Sequence, residues 1–187
     1  MIETIISILL GFGLAASAGF RVFVPLFVLS LATHYGYVPV GESFTWIGGL
    51  PAIICLGIAT VVEIGAYYIP FVDNLLDTIS IPLATIAGSV VMASTLMDLD
   101  PMLTWGLAII AGGGTAAAIT TSTAAARATS TATTGGLGNN IVSSTETATA
   151  SFVSILAIFA PIIAFIVVLL IIFVGIKMFK KVFSSRK

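Results

Sequence analysis

Residues 13–23 read GLAASAGFRVF, and how this stretch is read decides the fold. The small residues Ala16 and Ala18 stand where a signal-peptidase site would need them. Arg21 follows shortly, however, and apolar sequence then resumes through Ala32. A secretory signal opens with a basic region, whereas Met1-Ile2-Glu3-Thr4 carries a carboxylate and no Lys or Arg. The stretch is therefore expected to be a mature membrane segment with a charge at its centre.

The rest of the chain agrees. Of 187 residues, 58% are hydrophobic and 8% charged, against about 25% charged in soluble domains. So few charges cannot build a water-facing surface, which makes this an integral membrane protein. The lone cysteine, Cys55, excludes a disulfide within the chain and a cysteine-rich metal site. It reads as a small buried hydrophobe.

Five apolar spans are expected: Ile2 to Ala32, Leu50 to Ile69, Thr78 to Met97, Pro101 to Thr134, and one that starts at Ser143 and stays apolar to Val174. Pro51 and Pro101 suit first helical turns, Asp100 an N-cap, and Ser143-Ser144-Thr145-Glu146 a capping box. Tyr67, Tyr68 and Trp105 fit interface positions. The basic residues outside the spans, Lys177, Lys180, Lys181, Arg186 and Lys187, all lie in the tail. The positive-inside rule puts that tail in the cytoplasm, and five spans put the loops at 34–47 and 98–101 beside it. Ile2–Ala32 would measure roughly 45 Å as one helix, against a hydrocarbon core of about 30 Å. Pro101–Thr134 is similar, with Gly112-Gly113-Gly114 inside it. Both are expected to be broken, strongly tilted or re-entrant.

Sixteen Ser or Thr residues lie between Thr115 and Ser151. The tract is rich in alanine and poor in charge, which favours a closely packed membrane helix over a solvated linker. Thr120, Thr123, Ser130, Thr131 and Thr134 fall on one helical stripe with Arg127.

Arg21 and Arg127 are the only basic residues outside the tail. Burying an arginine in lipid costs about 2.5 kcal/mol or far more, so such a residue faces a bundle interior or a cavity and has a partner. Small residues precede both arginines, a Gly-containing loop follows each, and then a helix with a proline. This pattern predicts two units, 1–70 and 102–176, joined by a linking span at 78–97, with 177–187 as basic tail. A single linking span would invert the second unit against the first and set the site at mid-membrane. Pro25, lacking an N–H, is expected to kink the first helix at Arg21.

Glu63 lies within a span. It is a candidate for proton or ion coupling, or for counter-ion to an arginine. Asp73 and Asp77 read as caps of the third span, Asp98 and Asp100 as turn and cap residues, Glu42 as a loop charge, and His34 as structural. No nucleophile motif, His/Cys cluster or phosphate loop is present, so no enzyme, cofactor or metal is expected.

The blocks AGFRVFVPLF, EIGAYYIPFVDNLLDTI and TTSTAAARATSTATTGGLGNNIVS together resemble a bacterial membrane-protein family catalogued as domain of unknown function 4126, along nearly the whole chain. The resemblance implies a location in the bacterial inner membrane and assigns no activity. Arg21-Val22-Phe23-Val24-Pro25 is also similar to the arginine–aromatic–proline pattern in re-entrant segments of the DedA family, implicated in recycling polyprenyl-phosphate lipids. The second arginine of that pattern is absent here.

The reading that follows is an all-α polytopic bundle acting as a small transporter or lipid translocase for an anionic or amphiphilic substrate. Arg21 and Arg127 would bind the anion with Ser17, Thr123, Ser130 and Thr131, because a guanidinium fork stays charged and matches phosphate or carboxylate. The expected partners are membrane lipids and an anionic small molecule or lipid phosphate, not nucleic acid; homo-oligomerisation is left open. A non-transporting scaffold, with Glu63 neutralising the arginines, and an anion channel are the alternatives.

Overall fold

The computed structural model describes residues 2–97 and 99–184, and all regular structure among them is helical. The turn expected at Asp98 and the tail residues Arg186 and Lys187 lie outside the described residues. The first apolar segment is two helices, α1 (Ile2–Ala18) and α2 (Phe23–His34), separated by Gly19–Val22. They fold back on each other. Leu10, Leu14 and Ala15 of α1 share one core with Leu29 and Ala32 of α2 and with Val38 beyond it. The pair is thus a hairpin that enters and leaves at one end of the bundle, reaching about 25 Å deep at ~1.5 Å per residue, with Arg21 at its tip.

After a short 3-10 turn at Glu42–Gly48, α3 (Leu50–Ala66) runs to the opposite end, where Tyr67–Ile69 connects it to α4 (Pro70–Thr95). α4 returns. Gly11 of α1 lies against Thr95 and Met92, and Ala18 clusters with Ala84 and Ala87, so α1 and α4 are antiparallel. α5 (Pro101–Leu107), a π-helical stretch at Ala108–Gly113 and α6 (Gly114–Thr134) then form one helix of 34 residues. α7 (Asn139–Phe159) and α8 (Pro161–Ser184) complete the chain.

Of the alternatives expected for Pro101–Thr134, a break does not occur: the helix is continuous through Gly112-Gly113-Gly114, and its regular α winding is interrupted only by the π-helical stretch. Missing side chains serve packing there: a Cβ on Gly112 would lie 2.6 Å from the Gly88 carbonyl oxygen of α4. Two helices this close need small residues on both. The fifth span is likewise two helices. Ala160 precedes Pro161 and is non-helical, at φ −145° and ψ 69°, outside the α region that a following proline disfavours. Gly13 of α1 touches both Ala157 and Ala164, and Ser17 bonds Ala150 and Ser154 on α7 while Ala16 packs with Val168 of α8. α7 runs against α1 and α8 runs with it.

That reversal moves the tail. The end of α8 lies with Tyr67–Ile69 and the 135–138 turn, away from the loop at 34–48 with which it was expected to share a side. The two proposed units, moreover, start from the same end of the bundle. The hairpin adds no net crossing to the first of them, so the expected inversion does not follow from the helix directions.

By length and composition, Leu75–Thr95, Pro101–Thr134 and Asn139–Phe159 can each cross a membrane, and the bent pair Glu42–Gly48 with Leu50–Ala66 makes a fourth. Ile2–Ala18, Phe23–His34 and Pro161–Gly175 are shorter apolar helices. This is the architecture of a multi-pass membrane protein. Large apolar side chains such as Ile54, Ile58, Val61 and Val62 of α3 point outward, where lipid would meet them. Cys55 is exposed on that helix rather than buried.

Candidate functional site

The hairpin tip begins at Gly19, where a Cβ would strike Ile119 at 2.6 Å and the Ala116 carbonyl at 2.8 Å. Thr120 on α6 donates its hydroxyl to the Gly19 carbonyl at 2.8 Å. The tip is therefore seated against the long helix. The next helix needs acceptors for its first amides, and none comes from its own sequence. Glu63 of α3 supplies them: Oε1 accepts from the Val22 N–H at 2.7 Å and Oε2 from the Phe23 N–H at 3.0 Å. Glu63 touches neither arginine. It caps α2 from a neighbouring helix, and its charge suits the positive end of that helix. Pro25 lies in the first turn of α2, where a missing N–H costs nothing, and the kink expected at Arg21 is a full break over Gly19–Val22. Glu63→Ala should lower stability in detergent by about 2–3 kcal/mol through the loss of two charge-assisted bonds. Glu63→Gln, which keeps one acceptor, should lose about half of that. Thermal unfolding of the two variants checks the order.

Arg21 is 1% exposed and Arg127 2% exposed. Arg21 donates Nε to Thr147 Oγ1 at 3.0 Å and Nη2 to the Ser143 carbonyl and hydroxyl at 2.9 and 2.6 Å. Its Nη1 lies 3.1 Å from Glu146 Oε2. Ser143, Glu146 and Thr147 have the spacing that puts three side chains on one helix face. Arg127 donates Nη1 to the same Glu146 oxygen at 2.6 Å. Its other edge grips Asp77 two-handed, with Nε 3.2 Å from Oδ2 and Nη2 2.5 Å from Oδ1. Tyr67 lies against both guanidinium groups, 3.9 Å from Arg21 Cζ and 4.7 Å from Arg127 Cζ to its ring centre. A π face there offsets part of the repulsion between two like charges.

Nearby, Asp73 Oδ2 accepts from Asn139 Nδ2 at 3.0 Å, and Asn139 also donates to Thr131 at 2.9 Å. Two guanidiniums thus share the region with four carboxylates, Glu63, Asp73, Asp77 and Glu146, and only Asp77 is appreciably exposed. Glu146 Oε1 and Asp73 Oδ1 are buried with no hydrogen-bond partner. Among the described residues, no three His, Cys, Asp or Glu side chains form a group able to hold a metal. The cluster also sits toward one end of the bundle, not at its middle. Arg127 is seven residues from the end of α6, roughly 10 Å along the helix.

Of the residues expected at the site, Arg21 and Arg127 come together; the others do not join them. Ser17 hydrogen-bonds Ala150 and Ser154 between α1 and α7. Thr123 bonds back to the Thr120 carbonyl of its own helix. Ser130 faces Gly138 across the turn, and Thr131 meets Asn139. Asp77 and Glu146, read as caps, are instead the arginine partners, and Tyr67, read as an interface residue, is buried against both guanidiniums. One signal for Glu146 was available: it is the sole acidic residue after Asp100, so the second half of the chain offers Arg127 no other counter-ion.

A cavity of about 480 Å³ lies at the far end beside Glu3, Ser7, Tyr37 and Thr95 and has no basic side chain among its lining residues. It is not where an anion would be held.

A family model described as a domain of unknown function, DUF4126, matches residues 8–181. The chain belongs to the DUF4126 family. Nearly the whole of it, including the hairpin tip and every member of the charged cluster, falls inside the matched region. No curated protein and no solved structure matches the chain, and the similarity to the DedA pattern is not extended by these comparisons.

Proposed function

We propose that this DUF4126 protein is a small proton-coupled membrane transporter for an anion, with Arg21 and Arg127 as its anion site. One observation carries the reading: both guanidiniums converge on a single carboxylate oxygen, Glu146 Oε2, at 3.1 and 2.6 Å. The point between them is a ready-made anion position, and Glu146 occupies it as an internal stand-in for substrate. Four carboxylates against two guanidiniums leave a negative excess, and an uncompensated buried charge is costly. Protons taken up by Glu146 and Asp77 would remove that excess and free both arginine forks together. A carboxylate or phosphate could then bind in their place. Coupling in this scheme rests on Glu146 and Asp77 rather than on Glu63, whose two oxygens are held by the α2 amides.

The hairpin fits the same reading. Irregular backbone at membrane depth persists only where protein buries it or it lines a cavity, and here it carries the arginine. With α3, α4, α5–α6, α7 and α8 as five crossings, a cytoplasmic tail would put the charged cluster near the bacterial cytoplasmic face.

The test uses purified protein in vesicles loaded with a pH-sensitive dye. Adding inorganic phosphate, short carboxylates or alkyl phosphates outside should acidify the lumen for at least one of them. Arg21→Lys should cut that rate at least tenfold, and Glu146→Gln should uncouple anion uptake from pH. Unchanged rates in both variants, or no acidification with any anion, would exclude the mechanism. A scaffold role is the second reading, favoured by the complete use of the Arg21 guanidinium within the protein. It expects the same variants to alter stability alone.

A further inference from the structure

Tyr67 has a second face. It forms the inner wall of a cavity of about 200 Å³ between α3 and α4, lined also by Phe23, Val62, Leu76, Ser80 and Leu83. α3 packs along α2 and has little contact with α4 beyond the turn joining them. The cleft therefore opens sideways, between helices whose outward residues, among them Val61, Val62, Leu75 and Ile79, are apolar and exposed. The guanidiniums lie directly behind the ring that closes it, with Cζ 3.9 and 4.7 Å from the ring centre. Glu63 also borders the cleft, but both of its oxygens are engaged by the Val22 and Phe23 amides. It has little capacity left to attract a cation.

We infer that this cleft is a lateral doorway for an anionic amphiphile. Its apolar chain would lie between α3 and α4, and its phosphate or carboxylate head would reach Arg21 and Arg127 when Tyr67 swings aside. The inference rests on the anion-site reading above and names its substrate class. The arginine geometry selects the head: both guanidiniums behind the doorway are aligned on one oxyanion position, which Glu146 leaves free once it and Asp77 have taken up their protons. The wall chemistry selects the tail. A freely soluble anion gains nothing from an apolar route, whereas each methylene removed from water is worth about 0.8 kcal/mol, so a ligand with a chain is drawn to such a cleft from the bilayer surface.

Binding to the purified full chain in maltoside micelles tests this, with dodecyl phosphate, inorganic phosphate and dodecyltrimethylammonium as probes and the ligand-dependent rise in Tm as readout. Dodecyl phosphate should bind at least tenfold more tightly than inorganic phosphate. Val62→Trp and Leu83→Trp fill the doorway from its lipid side without touching the charged network. Each should weaken dodecyl phosphate at least tenfold and leave inorganic phosphate unchanged. If the tryptophan variants bind dodecyl phosphate like the parent, or the two phosphates bind equally, the doorway is wrong while the anion site survives. Preference for the ammonium probe, or phosphate binding indifferent to Arg21→Lys, overturns the anion site as well.

Discussion

Glu146→Gln is expected to lower the stability of the folded protein by about 3–5 kcal/mol, the usual cost of removing one partner from a buried ion pair. The effect is large because one oxygen serves two cations: Glu146 Oε2 lies 3.1 Å from Arg21 Nη1 and 2.6 Å from Arg127 Nη1. After substitution Arg127 keeps Asp77, but Arg21 keeps only neutral partners, the Ser143 and Thr147 groups and the Phe20 carbonyl. The two guanidiniums then lie side by side against Tyr67 with no carboxylate between them, since Asp77 holds only the far edge of Arg127. Denaturant or thermal unfolding in micelles measures the loss. A cost below about 1 kcal/mol would mean that the shared oxygen does not hold the arginines together. A companion variant separates stability from purpose. Replacing Arg21, Arg127, Glu146 and Asp77 together by apolar residues of similar size should be far less damaging than Glu146→Gln alone, since whole buried ion groups are often replaceable at little cost. Recovery of stability without recovery of transport would locate the reason for these charges in function.

At the helix crossing the largest expected effect belongs to Gly112→Leu, which should cost about 3 kcal/mol or more, at the upper end of what overpacking produces. A Cβ at Gly112 would sit 2.6 Å from the Gly88 carbonyl oxygen and 2.8 Å from Met92 Cβ, and a Cβ at Gly88 would sit 2.8 Å from the Gly112 carbonyl oxygen. Backbone meets backbone there, so no side chain can turn away and the helices must part. Gly114→Leu is the internal control. It lies in the same glycine run, yet a Cβ there meets nothing within 4 Å. It should be neutral or gain up to about 1 kcal/mol from helix propensity. Equal losses at both positions would show that the run is needed for flexibility and not for this contact.

The difference between Gly112 and Gly114 shows the limit of linear reading. Both were visible as members of a flexible-looking triplet, but only the position of α4 tells which one must lack a side chain. The acidic residues repeat the point. Asp77 and Glu146 stand beside residues typical of helix starts, so local chemistry supports capping. Their true partner, Arg127, is 50 residues from the first and 19 from the second. Glu63 is legible as a buried carboxylate, and the sequence offers it as a proton- or ion-coupling group or as counter-ion to an arginine, because opposite charges are the obvious pairing. The competing acceptors were the free amides of a neighbouring helix, and a broken helix exposes those only where the break falls.

Composition and charge placement alone determined that this chain lives in a membrane as helices, and that Arg21 and Arg127 have to be sheltered within it. Both follow from transfer free energies that depend on residue type and hardly at all on fold. Reversal at the hairpin tip, reversal at Ala160-Pro161, the choice of carboxylate for each arginine and the placing of Tyr67 against both of them were decided by tertiary structure. A break in a helix frees the chain to continue or to turn back with the same local dihedral signals, and only the surface waiting to be packed against settles which.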